Sequence, residues 1–274
     1  MPELPEVETI VRGLREEQGI YHASITGCRI TRAEVLWERT VANMNSESFQ
    51  KQIHGQLVNS ISRRGKFLVF SMERDAMLIH LRMSGDIRVE ETVTDTQTHD
   101  RMILEFENGL RMVFNDTRKF GRVWLVSDPK EVLGVLGPEP LDKNLTGEEF
   151  HRMLSERSRQ LKPLLMDQHF LAGLGNIYTD EALHLAQIHP LTQSDTLTLE
   201  ESSRLLRAIR AVLSEGIRRN GASIDWVYRG GDFQNQLRAY GREGEPCPVC
   251  GEEIIRLVVG QRGTHICPDC QQLK

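Results

Sequence analysis

Residues 247–270 read Cys247-Pro248-Val249-Cys250-Gly251-Glu252-Glu253-Ile254-Ile255-Arg256-Leu257-Val258-Val259-Gly260-Gln261-Arg262-Gly263-Thr264-His265-Ile266-Cys267-Pro268-Asp269-Cys270. Two cysteines two residues apart, a gap of sixteen residues and a second such pair are the spacing of a structural zinc site. Two intervening residues let a tight turn present both sulfurs to one metal. Sixteen suffice for a short hairpin that returns with the second pair. Four thiolates close a tetrahedral shell and leave no open position for chemistry. One Zn2+ is therefore expected, supplying folding free energy to a segment too small to hold its own core. Residues 252–266 read as strand, turn, strand. Gly260 and Gly263 flank Gln261 and Arg262 at the turn, which would put Arg262 at the hairpin tip. A disulfide framework would need an oxidising compartment. The start, Met1-Pro2-Glu3-Leu4-Pro5-Glu6, carries neither the basic region nor the apolar run of an export signal. Cys28 stands alone in an apolar, strand-like stretch and reads as a small buried hydrophobe.

Working back from the cysteines, the chain is helical. Thr198 with Glu201 marks a helix running to about Arg219, and another begins near Asn176 and runs to Ala186. A third covers about 162–167 with Pro163 in its first turn, and Thr146 with Glu149 makes a further capping box. Residues 127–145, with Gly137-Pro138-Glu139-Pro140, read as a linker and boundary. Before it the texture changes to short apolar segments between turns, at 25–37, 57–62, 66–72, 76–83, 86–90, 102–107, 110–114 and 122–126. One helix, capped by Ser46, interrupts them. Eight short strands with few helices predict a β-sandwich or barrel-like domain. Leu4, Val7, Ile10, Val11 and Leu14 fall at helical spacing ahead of it. The expected class is α+β: an N-terminal β-sandwich domain at 1–130 with a leading helix, a linker at 131–145, a helical domain at 146–235 and a zinc hairpin at 236–274.

The chain's 274 residues fit two domains, or one large domain plus a small module. At 39% hydrophobic and 27% charged, its chemistry is that of an ordinary globular protein. No stretch approaches the roughly 20 apolar residues of a membrane helix, so no membrane partner is expected. The formal net charge of −5 gives no support to nucleic-acid binding. A polyanion, however, is bound by a local field. Basic residues cluster at Arg63, Arg64 and Lys66, at Arg111, Arg118, Lys119 and Arg122, at Arg204–Arg219, and at Arg256 and Arg262. Such runs are ordinarily solvated faces.

Three further segments sharpen the reading: His80-Leu81-Arg82-Met83-Ser84-Gly85, Asp116-Thr117-Arg118-Lys119-Phe120-Gly121 and Gly173-Leu174-Gly175-Asn176-Ile177-Tyr178. With Pro2-Glu3-Leu4-Pro5-Glu6 and the cysteine spacing, they make the chain resemble the formamidopyrimidine-DNA glycosylases over nearly its whole length. The resemblance implies that the helical domain carries a helix–two-turns–helix motif. It implies removal of the initiator methionine, so that the secondary amine of Pro2 becomes the nucleophile. An α-amino group titrates near roughly 8, so a useful neutral fraction exists at neutral pH. Attack at C1′ would expel the damaged base and leave a Schiff base, from which β- and δ-elimination follow. Glu3 would move protons at the sugar ring oxygen and Glu6 would support it, with Lys66 counted in the same catalytic set. A retained Met1 would acylate Pro2 and abolish its nucleophilicity.

A base that leaves the stack leaves a space to be filled. The resemblance implies Met83, Arg118 and Phe120 as the fillers, with Arg118 facing the orphaned cytosine. Without it, Met83 and Phe120 read as core packing. Lys66, His99, Arg118, Asn176 and Arg262 match the family's usual phosphate or DNA contacts, from both domains, with DNA in the cleft between them. Asn176 would stand at a helix start, where N–H groups meet phosphate. The segment 221–234, with Ser223 and Trp226, corresponds to the loop over the everted base and looks shorter here than in the family. The implied partner is double-stranded DNA with oxidised bases or abasic sites, bound by a monomer in the bacterial cytoplasm, nucleoid-associated through that DNA. A pyrimidine-preferring relative of the endonuclease VIII type and a non-catalytic zinc-containing DNA-binding protein stay open as alternatives.

Overall fold

A computed structural model describes residues 1–16, 24–223 and 230–273. They divide into two compact units, one of Met1–Val135 with Asn220–Gly231 and one of Leu136–Arg219 with Asp232–Lys274.

The first unit contains α1 (Leu4–Glu16), β1 (Ile30–Val35), α2 (Ser46–Ile53), β2 (Val58–Arg64), β3 (Phe67–Met72), β4 (Ala76–His80), β5 (Gly85–Glu91), β6 (Asp100–Phe106), β7 (Leu110–Asp116), β8 (Arg122–Val126) and α3 (Lys130–Leu133). Two four-stranded antiparallel sheets, in the orders β1-β6-β7-β5 and β2-β3-β4-β8, make the sandwich. Alternation along each strand decides what faces inward. Leu68, Phe70, Met77, Ile79, Val123 and Leu125 of one sheet share a core with Ile87, Met102, Leu104, Phe106, Met112 and Phe114 of the other. The helical stripe of α1, Val7, Ile10, Val11 and Leu14, closes the same core. The opposite face of the second sheet offers Val69, Ala76, Leu78 and Val126, and Val132 and Leu133 of α3 pack against it. The stretch read as linker thus begins with a helix that seals a sheet. Helix α2 is capped by Asn45 and not by Ser46: Asn45 has extended backbone, and its side chain accepts the Ser48 N–H at 2.8 Å.

The second unit contains α4 (Gly147–Ser155), α5 (Leu161–Leu165), α6 (Asn176–Ala186), α7 (Leu199–Arg218), and the hairpin strands β9 (Ile255–Val259) and β10 (Arg262–Ile266). The α7 capping box is complete, with Thr198 Oγ1 accepting the Glu201 N–H at 3.2 Å and Glu201 accepting the Thr198 N–H at 3.0 Å. At α4 Thr146 caps Glu149 in the same way, but the Glu149 carboxylate turns to Arg152. Helix α6 is buried on nearly every side, which demands that its polar residues be hydrogen-bonded. No helix among the described residues is long and apolar enough to cross a membrane.

His80 ends β4, buried, with Nδ1 accepting the Arg82 N–H at 3.0 Å. Burial, and then the charges of Arg82 and Lys66, push its pKa down to about 3. The unfolded chain takes up a proton near 6.5 that the folded chain refuses until about 3, so this site's contribution is whole above pH 6.5 and is lost as pH falls through that window. The loss approaches about 1.4 kcal/mol per pH unit. Urea midpoints at pH 6.5 and 4.5 should therefore fall more for the native protein than for His80→Gln; equal falls would clear His80 of the acid sensitivity.

Candidate functional site

Pro2, Glu3 and Glu6 lie at the start of α1, all buried. The Glu6 carboxylate binds two backbone segments. Oε2 accepts the Glu3 N–H at 2.8 Å and Oε1 accepts the Ala222 N–H at 2.7 Å. Gly221 makes the second approach possible. It has φ +80°, and a Cβ there would stand 2.6 Å from Glu6 Oε1. Ser223 Oγ then accepts the Gly231 N–H at 2.9 Å and donates to the Gly231 carbonyl at 3.0 Å, joining the two sides of the segment that includes Trp226. Trp226 itself lies outside the described residues. Lys66 is buried beside Gly65 in the turn between β2 and β3. One turn along α1, burial works against the Glu8 carboxylate, but Arg12 at 2.8 Å and Arg63 at 3.0 Å outweigh it and hold its pKa low.

Met83, Arg118 and Phe120 sit on two neighbouring turns, after β4 and after β7. Met83 is 39% and Phe120 48% exposed, so neither is core packing. The Arg118 guanidinium lies 5.0 Å from the Phe120 ring centre. Both turns hang on Asp116, which is buried. Its carboxylate accepts the Ser84 hydroxyl from the first turn, and the N–H groups of Arg118 at 3.2 Å and Gly121 at 2.7 Å from the second. Ser84 Oγ also accepts the Arg118 N–H at 3.0 Å. The backbone of Asp116 extends the network: its N–H donates to His99 O at 2.9 Å and its carbonyl accepts Arg101 Nε at 2.7 Å. The exposed His99 ring is 3.3 Å from the same guanidinium. Next to Arg118, Lys119 adopts φ 61° and places its ammonium 4.0 Å from the Trp37 ring centre.

In the second unit Asn176 opens α6, and its Nδ2 donates to the Gly263 carbonyl at 3.1 Å. Arg262 is exposed and immediately precedes Gly263. The hairpin turn is Gly260-Gln261, with φ 55° and 62°, so Arg262 is the first residue of β10, paired with Val259, and not the tip. Two consecutive positive φ values are what a two-residue hairpin needs, and glycine supplies the first. Lys162, wholly buried, ties the same turn region to α6. Its ammonium donates to Asp180 at 2.6 Å, Thr264 Oγ1 at 2.8 Å and the Gly263 carbonyl at 3.1 Å.

The sulfurs of Cys247, Cys250, Cys267 and Cys270 all lie within 4.8 Å of one another. Tetrahedral zinc with Zn–S near 2.3 Å places its sulfurs about 3.8 Å apart. The pairs Cys250–Cys267 at 3.4 Å and Cys247–Cys270 at 4.0 Å bracket that spacing. Burial pushes the Cys267 thiol up, as it does the Cys270 thiol, which the neighbouring thiols raise further. A dication between them reverses this balance, because it binds the thiolate form. The chain holds one structural zinc on these four ligands.

The chain matches the family models of the formamidopyrimidine-DNA glycosylase N-terminal domain over residues 1–123, of the same enzymes' H2TH domain over 136–227, and of the zinc finger found in FPG and IleRS over 244–273. It is 42% identical over 281 residues to the formamidopyrimidine-DNA glycosylase of Protochlamydia amoebophila, covering 99% of this chain and all of that one. The chain belongs to the formamidopyrimidine-DNA glycosylase family. The Brevibacillus brevis family member is also 42% identical, over 99% of each chain. Among solved structures, MutM in complex with carbocyclic 8-oxo-G containing DNA matches with TM-score 0.90 and 36% identity over 99% of this chain and all of that one. The Lactococcus lactis glycosylase non-covalently bound to DNA containing an AP site matches at 0.89 and 37%, with the same coverage.

Within this glycosylase fold, four residues do structural duties that the sequence reading did not assign. Ser84 and Asp116 were visible as members of the quoted segments, without a signal for what they bond. Lys162 and Asp180 carried none, because their pairing spans α5 and α6. Asp116→Asn replaces one acceptor with a donor that faces N–H groups. We expect amide exchange at Arg118 and Gly121 to accelerate at least about tenfold, with a stability loss of about 1–3 kcal/mol. Unchanged exchange at both amides would mean that something else holds the turns.

Proposed function

We propose that this chain is a bifunctional DNA glycosylase and abasic-site lyase of base excision repair, acting on oxidised purines in double-stranded DNA. The observation that carries the reading is the Glu6 carboxylate, which joins the N-terminal turn to the base of the 220–231 segment. An amine at Pro2 would thereby be fixed in position beside Glu3. Once Met1 is removed, the Pro2 nitrogen attacks C1′. The C1′–N bond to the base breaks, and the base leaves with a proton. Glu3 delivers a proton to the ring oxygen as the sugar opens to the iminium form. The iminium acidifies the neighbouring carbon, loss of the 3′ and then the 5′ phosphate by β- and δ-elimination frees the sugar from the strand, and water then hydrolyses the C1′–nitrogen bond to return the Pro2 amine. Lys66 contributes a buried positive charge to this set.

Met83, Arg118 and Phe120 fill the space of the everted base; their exposure on two clamped turns suits a wedge better than a core. His99, Arg118, Asn176 and Arg262 contact the DNA backbone or bases. The zinc is structural and takes no part in the chemistry. The enzyme acts as a monomer in the bacterial cytoplasm, on the nucleoid.

Borohydride reduction during reaction with an 8-oxoguanine or abasic duplex should trap a covalent complex whose sugar adduct maps to Pro2. An adduct mapped to a lysine would overturn the assignment, as would full activity in protein that retains Met1. Glu3→Gln should slow base release by on the order of 100-fold or more while leaving affinity for the damaged duplex largely intact. A parallel collapse of affinity would make Glu3 structural.

A further inference from the structure

The zinc finger meets α6 along a line of three polar side chains. Asn176, Asp180 and His184 recur every four residues, so they stand on one face of the helix. Asn176 donates to the Gly263 carbonyl at 3.1 Å, and Asp180 accepts the His265 N–H at 3.0 Å. His184, 1% exposed, completes the line: its Nε2 lies 3.4 Å from Cys247 Sγ.

We propose that His184 is an outer-sphere partner of the zinc centre, donating its Nε2–H to the Cys247 thiolate. The tautomer follows from its surroundings. His184 Nδ1 is buried and has no hydrogen-bond partner among the described residues. A proton on Nδ1 would leave a buried donor unused and turn the Nε2 lone pair toward a negatively charged sulfur. A proton on Nε2 makes the one available bond and leaves only an acceptor unmet, the smaller cost. The thiolate then receives the N–H of His184 together with backbone donors such as that of Val249 at 3.4 Å. Each draws electron density from the sulfur, which lowers its nucleophilicity toward oxidants, and each offsets part of the excess negative charge of four thiolates around one dication, which favours retention of the ion. Cys247 is itself 3% exposed, so solvent does little of this work. His184 is thus a positioning residue for the metal, and it fastens the C-terminal half of the helix that begins at Asn176.

The test uses the whole protein. In the cobalt-substituted form, His184→Phe keeps a ring in the site but removes the donor, and the sulfur-to-cobalt charge-transfer band should move to lower energy. His184→Gln, which restores an N–H, should move it back toward the native position. Zinc affinity, read by competition with a chromogenic chelator, should fall about tenfold for His184→Phe and less for His184→Gln. An unshifted band with unchanged affinity in His184→Phe would overturn the proposal. Native protein loaded with cadmium-113 gives an answer free of any folding defect. A scalar coupling between cadmium and the His184 Nε2 proton supports the bond; a proton found on Nδ1 refutes it.

Discussion

A carboxylate removed from water must have its lone pairs filled, and four buried acids in this chain fill them with donors from other parts of the fold, two of them from the turns and loop that carry the candidate site. Glu6 takes the N–H groups of Glu3 and Ala222. Asp116 takes those of Arg118 and Gly121 with the Ser84 hydroxyl. Asp180 takes the His265 N–H and the Lys162 ammonium. Glu181 takes three in succession, from Arg238, Ala239 and Tyr240, at 2.8–2.9 Å. Burial still pushes the Glu181 carboxyl up, against the pull of those donors. For Glu6, Asp116 and Glu181 a regular element supplies the acid and a turn or loop with no ladder of its own supplies the N–H groups, whereas Asp180 takes its N–H from β10. The scaffold therefore dictates the course of chain segments that have little apolar surface with which to fix themselves.

Helix α6 shows why zinc is needed as well. The zinc module's own core is little more than Cys247, Ile254 and Cys267, too small to hold a fold. Structural zinc in such modules supplies on the order of 10 kcal/mol or more. The remaining order comes from a polar face of α6 and from Lys162 of α5, which forms a fully buried pair with Asp180 of that face. Breaking such a pair from one side typically costs about 3–5 kcal/mol, because the remaining charge is stranded. The metal gives the module its shape, and the helix gives it its place in the second unit.

What the sequence disclosed tracks the range of the interactions involved. Helices α6 and α7 were legible almost to the residue, since their limits come from local chemistry such as Thr198 with Glu201. The zinc ligands were legible because two short spacings encode them. Asn45 displaced Ser46 as a cap because adjacent good caps are separated only by backbone conformation, which composition does not carry. Arg262 moved from tip to strand because glycines at both 260 and 263 allow either turn register, and the pairing of β9 with β10 chooses between them. Met83 and Phe120 look apolar and core-like in isolation, yet β4 and β7 end before them and leave them outside. Their placement depends on Asp116 meeting Ser84, 32 residues away in the chain.

The same distinction governs the arginines, whose clusters the net charge of −5 conceals. A cation already satisfied inside the fold has little left to offer a phosphate. Arg210 is bound by the carbonyls of Pro140, Asp142 and Leu145, and Arg204 by that of Ala186. Arg218 and Arg219 both lie on Glu215, Arg111 on Glu90 and Arg63 on Glu8. The longest basic cluster in the sequence, 204–219, thus has most of its cations already paired within the chain. Arg118 and Arg262 differ in kind: both are exposed, one laid over an aromatic ring and the other beside the carbonyl that anchors Asn176. A local field able to hold a polyanion is built from cations of this second sort, and counting charges along the chain cannot separate the two.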